Sequence, residues 1–151
     1  MPEVFTAYLN RLAELHRDLT QTLEGLPAEA LNWSPGPEVN SLAALAAHTA
    51  GSERYWIGDV IGRDDSQRDR ASEFRAHVFH AEEAITRLNT VLAHSRGIVE
   101  SLTLADLEER RFVRDQREET VAWTLLHALE HIAIHLGHMQ IMRQWWEAKS
   151  R

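Results

Sequence analysis

Four histidines fall within twelve residues towards the C-terminal end of the chain: His127, His131, His135 and His138. On a helix, their spacings of four, four and three put all of them within an arc of roughly 80° on one face, over about 16 Å of axis. Histidines so spaced suit a metal ion. An i,i+4 pair on adjacent turns converges on one ion with Zn–N bonds of about 2.0–2.1 Å, whereas four ligands spread over that length cannot. The pairs His127/His131 and His131/His135 both satisfy the spacing. A third ligand has to come from another helix. His48 is the natural supplier, three residues after Leu45 at the edge of the face its own helix must bury, where an unpartnered imidazole is costly. His16, His77, His80 and His94 lie elsewhere and are read as ordinary hydrogen-bonded side chains.

The chain has no cysteine, which removes thiolate nucleophiles, Cys-ligated zinc, iron–sulfur centres and disulfides, and leaves His, Asp and Glu as ligands. Two other metal motifs fit the sequence less well. His127-Ala-Leu-Glu130-His131 matches the H-x-x-E-H pattern of inverted zinc peptidases, but only 20 residues follow His131, little room for a distant downstream ligand and a substrate cleft. A di-iron bundle needs Glu-x-x-His on two helices, and no Glu precedes a His by three residues.

Four amphipathic segments must position these residues. Phe5, Tyr8, Leu12, Leu15, Leu19, Leu23 and Leu26 step by three and four and predict a first helix ending near Gly25-Leu26-Pro27. The second, over 41–62, has Ser41 as N-cap after a Pro-Gly-Pro loop and carries His48. Phe74, Val78, Ala81, Ile85, Leu88, Leu92, Val99 and Leu102 predict the third, interrupted only by Ser95 at an expected apolar position. The fourth runs from about Thr120 to Trp146, with His135 in its apolar seam beside Ala128, Ile132 and Met139. Residues 103–119 are a polar connection with a short helical turn at 106–110 and an extended stretch at 111–113; 63–71 is a polar loop. No stretch reads as a convincing strand. The expected fold is an all-α four-helix bundle, a single domain over 1–151.

With 151 residues, 44% hydrophobic and 26% charged, the chain is large enough to bury one core and lies in the globular range. A net charge of −7 argues against nucleic-acid binding. The absence of a long apolar run or a signal-like start predicts a cytoplasmic protein with no membrane partner.

The chain resembles the DinB/YfiT-like superfamily of metal-dependent bundles. The resemblance is carried by Leu31-Asn32-Trp33-Ser34-Pro35, leading through Asn40-Ser41-Leu42 to Ala46-Ala47-His48, with Glu53 and Tyr55-Trp56 beyond. Its second half is Leu126-His127-Ala-Leu-Glu-His131-Ile-Ala-Ile-His135-Leu-Gly137-His138, followed by Arg143. It implies a bundle with a long crossover, often dimeric, with the ion on His48, His131 and His135 and one coordination position open. It also implies that His127 is pocket lining. Many members have Arg-Gly-Gln after the last ligand where this chain has Leu136-Gly137-His138, which leaves His138 as an extra ligand or proton carrier. Zinc is the first choice of metal, with nickel, iron and manganese as alternatives. Glu53 and Glu130 are candidates to orient a ligand imidazole.

The same resemblance, to thiol-dependent transferases and a mycothiol-dependent isomerase, implies a metal-dependent enzyme acting on a small thiol and an electrophile. Tyr55, Trp56 and Trp123 would then be pocket walls. The alternatives are a non-catalytic, metal-stabilised binding or stress-response protein and a metal-dependent hydrolase with Glu53, Glu130 or His138 as proton carrier. Trp145 and Trp146 are candidates for a homodimer interface.

Overall fold

The first apolar stripe forms α1 (Glu3–Leu23), which buries Phe5, Leu12, Leu19 and Leu23 almost completely. Beyond it Gly25 takes a positive φ of 73°, a turn that glycine adopts without a Cβ clash. The computed structural model describes residues 1–149. After α1 come a one-turn helix α2 (Ala28–Asn32), α3 (Leu42–Glu53), a π-helical segment (Arg54–Ile61), the short α4 (Arg70–Glu73), α5 (Ala81–Ser101) and α6 (Val121–Lys149). Helices α1 and α3 each pack against both α5 and α6, so the four long helices close around a shared core. The chain is an all-α bundle. No helix among the described residues is long and apolar enough to cross a membrane.

Helix α3 is the central element. Leu42 to Ala50 are buried on every side, as expected of a helix that is apolar all round. Ser41 caps it, accepting a hydrogen bond from the Ala44 N–H. The expected continuous helix over 41–62 instead widens at Arg54, and the Gly62 N–H reaches the Ile57 carbonyl five residues back at 2.9 Å. Such a widening re-aims the side chains that follow it, here Tyr55 and Trp56.

The third helix does not begin at Phe74. Val78 lies outside any helix, where Asn32 takes both of its backbone groups, donating to the carbonyl at 2.7 Å and accepting from the N–H at 3.1 Å. The Glu83 carboxylate then accepts from the N–H groups of Phe79 and His80 and starts α5 at Ala81. The polar Ser95 in its apolar stripe donates at 2.7 Å to Glu53, which also meets His16 Nε2 at 2.6 Å. A buried polar cluster therefore joins α1, α3 and α5.

The connection from α5 to α6 does contain strands. Arg110–Phe112 pairs antiparallel with Glu118–Thr120 across a 3₁₀ turn at Arg114–Gln116, after an earlier 3₁₀ turn at Ala105–Glu108. At the far end of the bundle, Arg143 of α6 donates to the carbonyls of Gln21, Thr22 and Glu24 at 3.0–3.1 Å, supplying donors to carbonyls that the end of α1 leaves unpaired.

Candidate metal centre

Three imidazoles from two helices meet on one side of the core. His48 projects from the buried α3, and His131 and His135 from adjacent turns of α6, with ring centroids 5.1 Å (48–131), 4.9 Å (48–135) and 4.4 Å (131–135) apart. One nitrogen of each ring lies within 4.8 Å of the others, so the group could hold a metal ion. The Nε2 atoms of His131 and His135 are 3.2 Å apart, close to the separation of about 3.3 Å that two nitrogens have on a tetrahedral ion with bonds of about 2.0–2.1 Å.

The protonation chemistry fits the same use. Burial, reinforced by the neighbouring imidazoles, lowers the His131 pKa to about 3 and the His135 pKa to about 4, so both rings are neutral at pH 7 and offer lone pairs. Their Nδ1 atoms are buried without a hydrogen-bond partner among the described residues. When those atoms carry the protons, two lone pairs face each other across 3.2 Å, a repulsion that a shared cation removes.

Behind His48 stands a carboxylate that sequence spacing did not single out. Glu73 Oε2 lies 2.9 Å from His48 Nδ1, and Arg68 donates to both oxygens of the same carboxylate at 2.6 and 2.8 Å. Burial would raise the Glu73 pKa, but the Arg68 and His48 hydrogen bonds outweigh it and hold the group ionised below its usual range. An ionised acceptor keeps the proton on Nδ1 and turns the Nε2 lone pair of His48 outward. Gly51 makes room: a Cβ there would collide with the Glu73 carboxylate. Phe74 stacks on the His48 ring at 4.7 Å.

The other predicted site residues are more dispersed. His127 stacks on Trp123 at 4.8 Å and 9° and sits 4.6 Å from the Trp56 ring, outside the triad. Together with Tyr55 and Trp56 it lines a cleft of about 170 Å³ that opens onto His48 and His131; Trp123 backs His127 without lining it. Glu53 is buried against His16 and Ser95 and touches none of the three imidazoles. Glu130 is exposed, its nearest imidazole nitrogen being His127 Nδ1 at 3.8 Å. His138 is exposed, with its ring 5.4 Å from that of His135, and lines a separate groove with Val39, Ile141 and Trp145. Trp146 packs 5.8 Å from Trp33 of the same chain, leaving Trp145 half exposed.

The sequence model of the DinB superfamily matches residues 11–139, a span that contains the whole triad. The chain belongs to the DinB superfamily. Among solved structures it is similar to a conserved protein from Enterococcus faecalis, with a TM-score of 0.81 at 16% identity, covering 95% of this chain and 97% of that one. It is also similar to a DinB-like protein from Bacillus cereus, with a TM-score of 0.76 at 15% identity over 93% and 91% of the two chains. At such identities the likeness concerns the fold alone. No curated protein sequence matches the chain.

Proposed function

We propose that this DinB-superfamily protein binds one divalent ion, zinc by preference, on His48, His131 and His135, and acts as a metal-dependent enzyme on a low-molecular-weight thiol. The observation that carries this reading is the convergence of three imidazole nitrogens within 4.8 Å at the edge of an open cleft. A bound ion with an open position supplies a Lewis acid that favours the thiolate form of a sulfur donor near neutral pH. The rest falls to the chain's own residues. Glu73 fixes the His48 ring, Tyr55 and Trp56 wall the cleft against water, and His127 on the same wall is placed to accept the thiol proton.

The test is consumption of small thiols in the presence of an electrophile by the zinc-loaded protein. Loss of turnover in His48→Ala, with thiols and electrophile unchanged in buffer alone, is the expected result. Inertness towards every thiol, combined with strong metal-dependent stabilisation, supports the second reading, a non-catalytic protein in which the ion ties α3 to α6. Hydrolysis of ester or amide substrates without any thiol supports the third. As partner for α6 we propose a second copy of the chain, because Leu126, Ile134, Ile141 and Trp145 are exposed along that helix.

A further inference from the structure

The mouth of the cleft carries a charge opposite to that of the protein. The chain has a net charge of −7, yet the cleft beside His48 and His131 is lined by Arg68, Arg70 and Arg114 and by no acidic side chain. Arg68 is already neutralised by its two hydrogen bonds to Glu73. The other two have no carboxylate partner among the described residues; they lie over aromatic faces instead, Arg70 5.0 Å from the Phe74 centroid and Arg114 4.8 Å from that of Tyr55. A guanidinium stacked on a ring keeps its edge N–H groups free, and that planar fork matches a carboxylate in two parallel hydrogen bonds.

Both arginines are held where an incoming ligand would meet them. Phe74, beneath Arg70, itself stacks on the His48 ring. The Tyr55 hydroxyl accepts the backbone N–H of Arg114 at 2.9 Å, pinning the 3₁₀ turn of the hairpin over the cleft. With about 170 Å³ available, the space suits a small molecule or the head of a larger one.

We infer that the ligand of this cleft carries a carboxylate, bound by Arg70 and Arg114, while its other end reaches the histidine triad. The inference rests on the metal site proposed above, and it names a feature of the substrate that the triad alone does not specify. The ion would attract any anion, so the arginines have to be tested separately from it.

The experiment compares 3-mercaptopropionate with 2-mercaptoethanol, two mercaptoethyl compounds that end in a carboxylate and in a neutral hydroxyl, as ligands of zinc-loaded protein. Binding is followed by calorimetry and by intrinsic tryptophan fluorescence at fixed ionic strength. The expected result is a preference for the acid of about tenfold or more that drops to within about threefold in the double variant Arg70→Gln/Arg114→Gln. Zinc content, melting temperature and mercaptoethanol affinity should stay at wild-type values. Equal binding of the two thiols by wild type, or a preference that survives in the double variant, overturns the inference. If neither thiol binds but succinate does, and needs the two arginines, the carboxylate site stands and the thiol chemistry falls. Failure of all three ligands to bind overturns the carboxylate site itself.

Discussion

Glu73 illustrates how much one side chain can set. It orients His48 by accepting from Nδ1 and is itself steadied by Arg68. Removing such an outer carboxylate costs about 10–100-fold in metal affinity, so Glu73→Gln is expected to weaken zinc binding by that factor in a chelator competition while leaving His131 and His135 in place. Protons compete for the same nitrogens. His131 and His135 titrate at about 3 and about 4 when folded, against about 6.5 in an unfolded chain. Between those values the unfolded state binds protons that the folded state refuses. The contribution of these two groups to the stability of the metal-free protein is therefore fully present above about pH 6.5 and is lost progressively as pH falls towards about 3. Thermal melts of metal-free protein should decline across that window, less steeply in His131→Gln; a flat profile contradicts the assignment. An i,i+4 histidine pair on the last helix was legible because its spacing is local, whereas the choice of His131/His135 over His127/His131 came from the family resemblance. Glu73 was not legible: it lies 25 residues from His48 on a four-residue helix, and no periodicity links the two. Of the two carboxylates expected in its place, Glu53 serves His16 and Ser95 inside the bundle and Glu130 is exposed beside His127.

At the level of elements, the four apolar stripes announced four long helices, and departures occurred where side chains captured the backbone. Phe74 and Val78 fit the helical step, but Asn32 holds Val78 by both backbone groups, and a pattern of apolar residues cannot reveal a partner 46 positions away. The strands at Arg110–Phe112 and Glu118–Thr120 are three residues each, too short for an alternation of period two to register. The π-helical turn that aims Tyr55 and Trp56 leaves no mark in composition. Arg143 joins two elements, donating to three carbonyls at the end of α1. Hydrogen bonds from a charged donor are worth about 1.5–3 kcal/mol net, and less where exposed. Arg143→Ala is expected to lower stability by about 1–2 kcal/mol in denaturant unfolding without changing zinc affinity; an unchanged midpoint would show that the cap contributes nothing.

For the whole molecule, an ion held by the proposed site would be an inter-helix tie. It would bridge the buried α3 and the C-terminal α6, two elements separated in sequence by the entire 54–120 region. Ligand binding to the folded state alone adds RT ln(1 + [L]/Kd), about 2.7 kcal/mol at a hundredfold excess over Kd. In a chain of this size each kcal/mol moves Tm by about 2–4 °C, so zinc should raise Tm by roughly 5–10 °C in wild type and hardly at all in His48→Ala. A chain that melts at the same temperature with and without zinc has no such tie. The bundle class was legible from four amphipathic stripes, since few other architectures bury them. The inward-facing charge of the cleft, set by a loop, a short helix and a hairpin turn, emerges only when the chain is folded. The most direct measurement is X-ray absorption on tag-free protein reconstituted with zinc, with the ion content of the same sample determined by metal analysis. The expected spectrum is one ion per chain with three imidazole nitrogens at about 2.0–2.1 Å, and the site is lost in His131→Ala. Substoichiometric uptake, or a first shell dominated by carboxylate oxygens, contradicts the account.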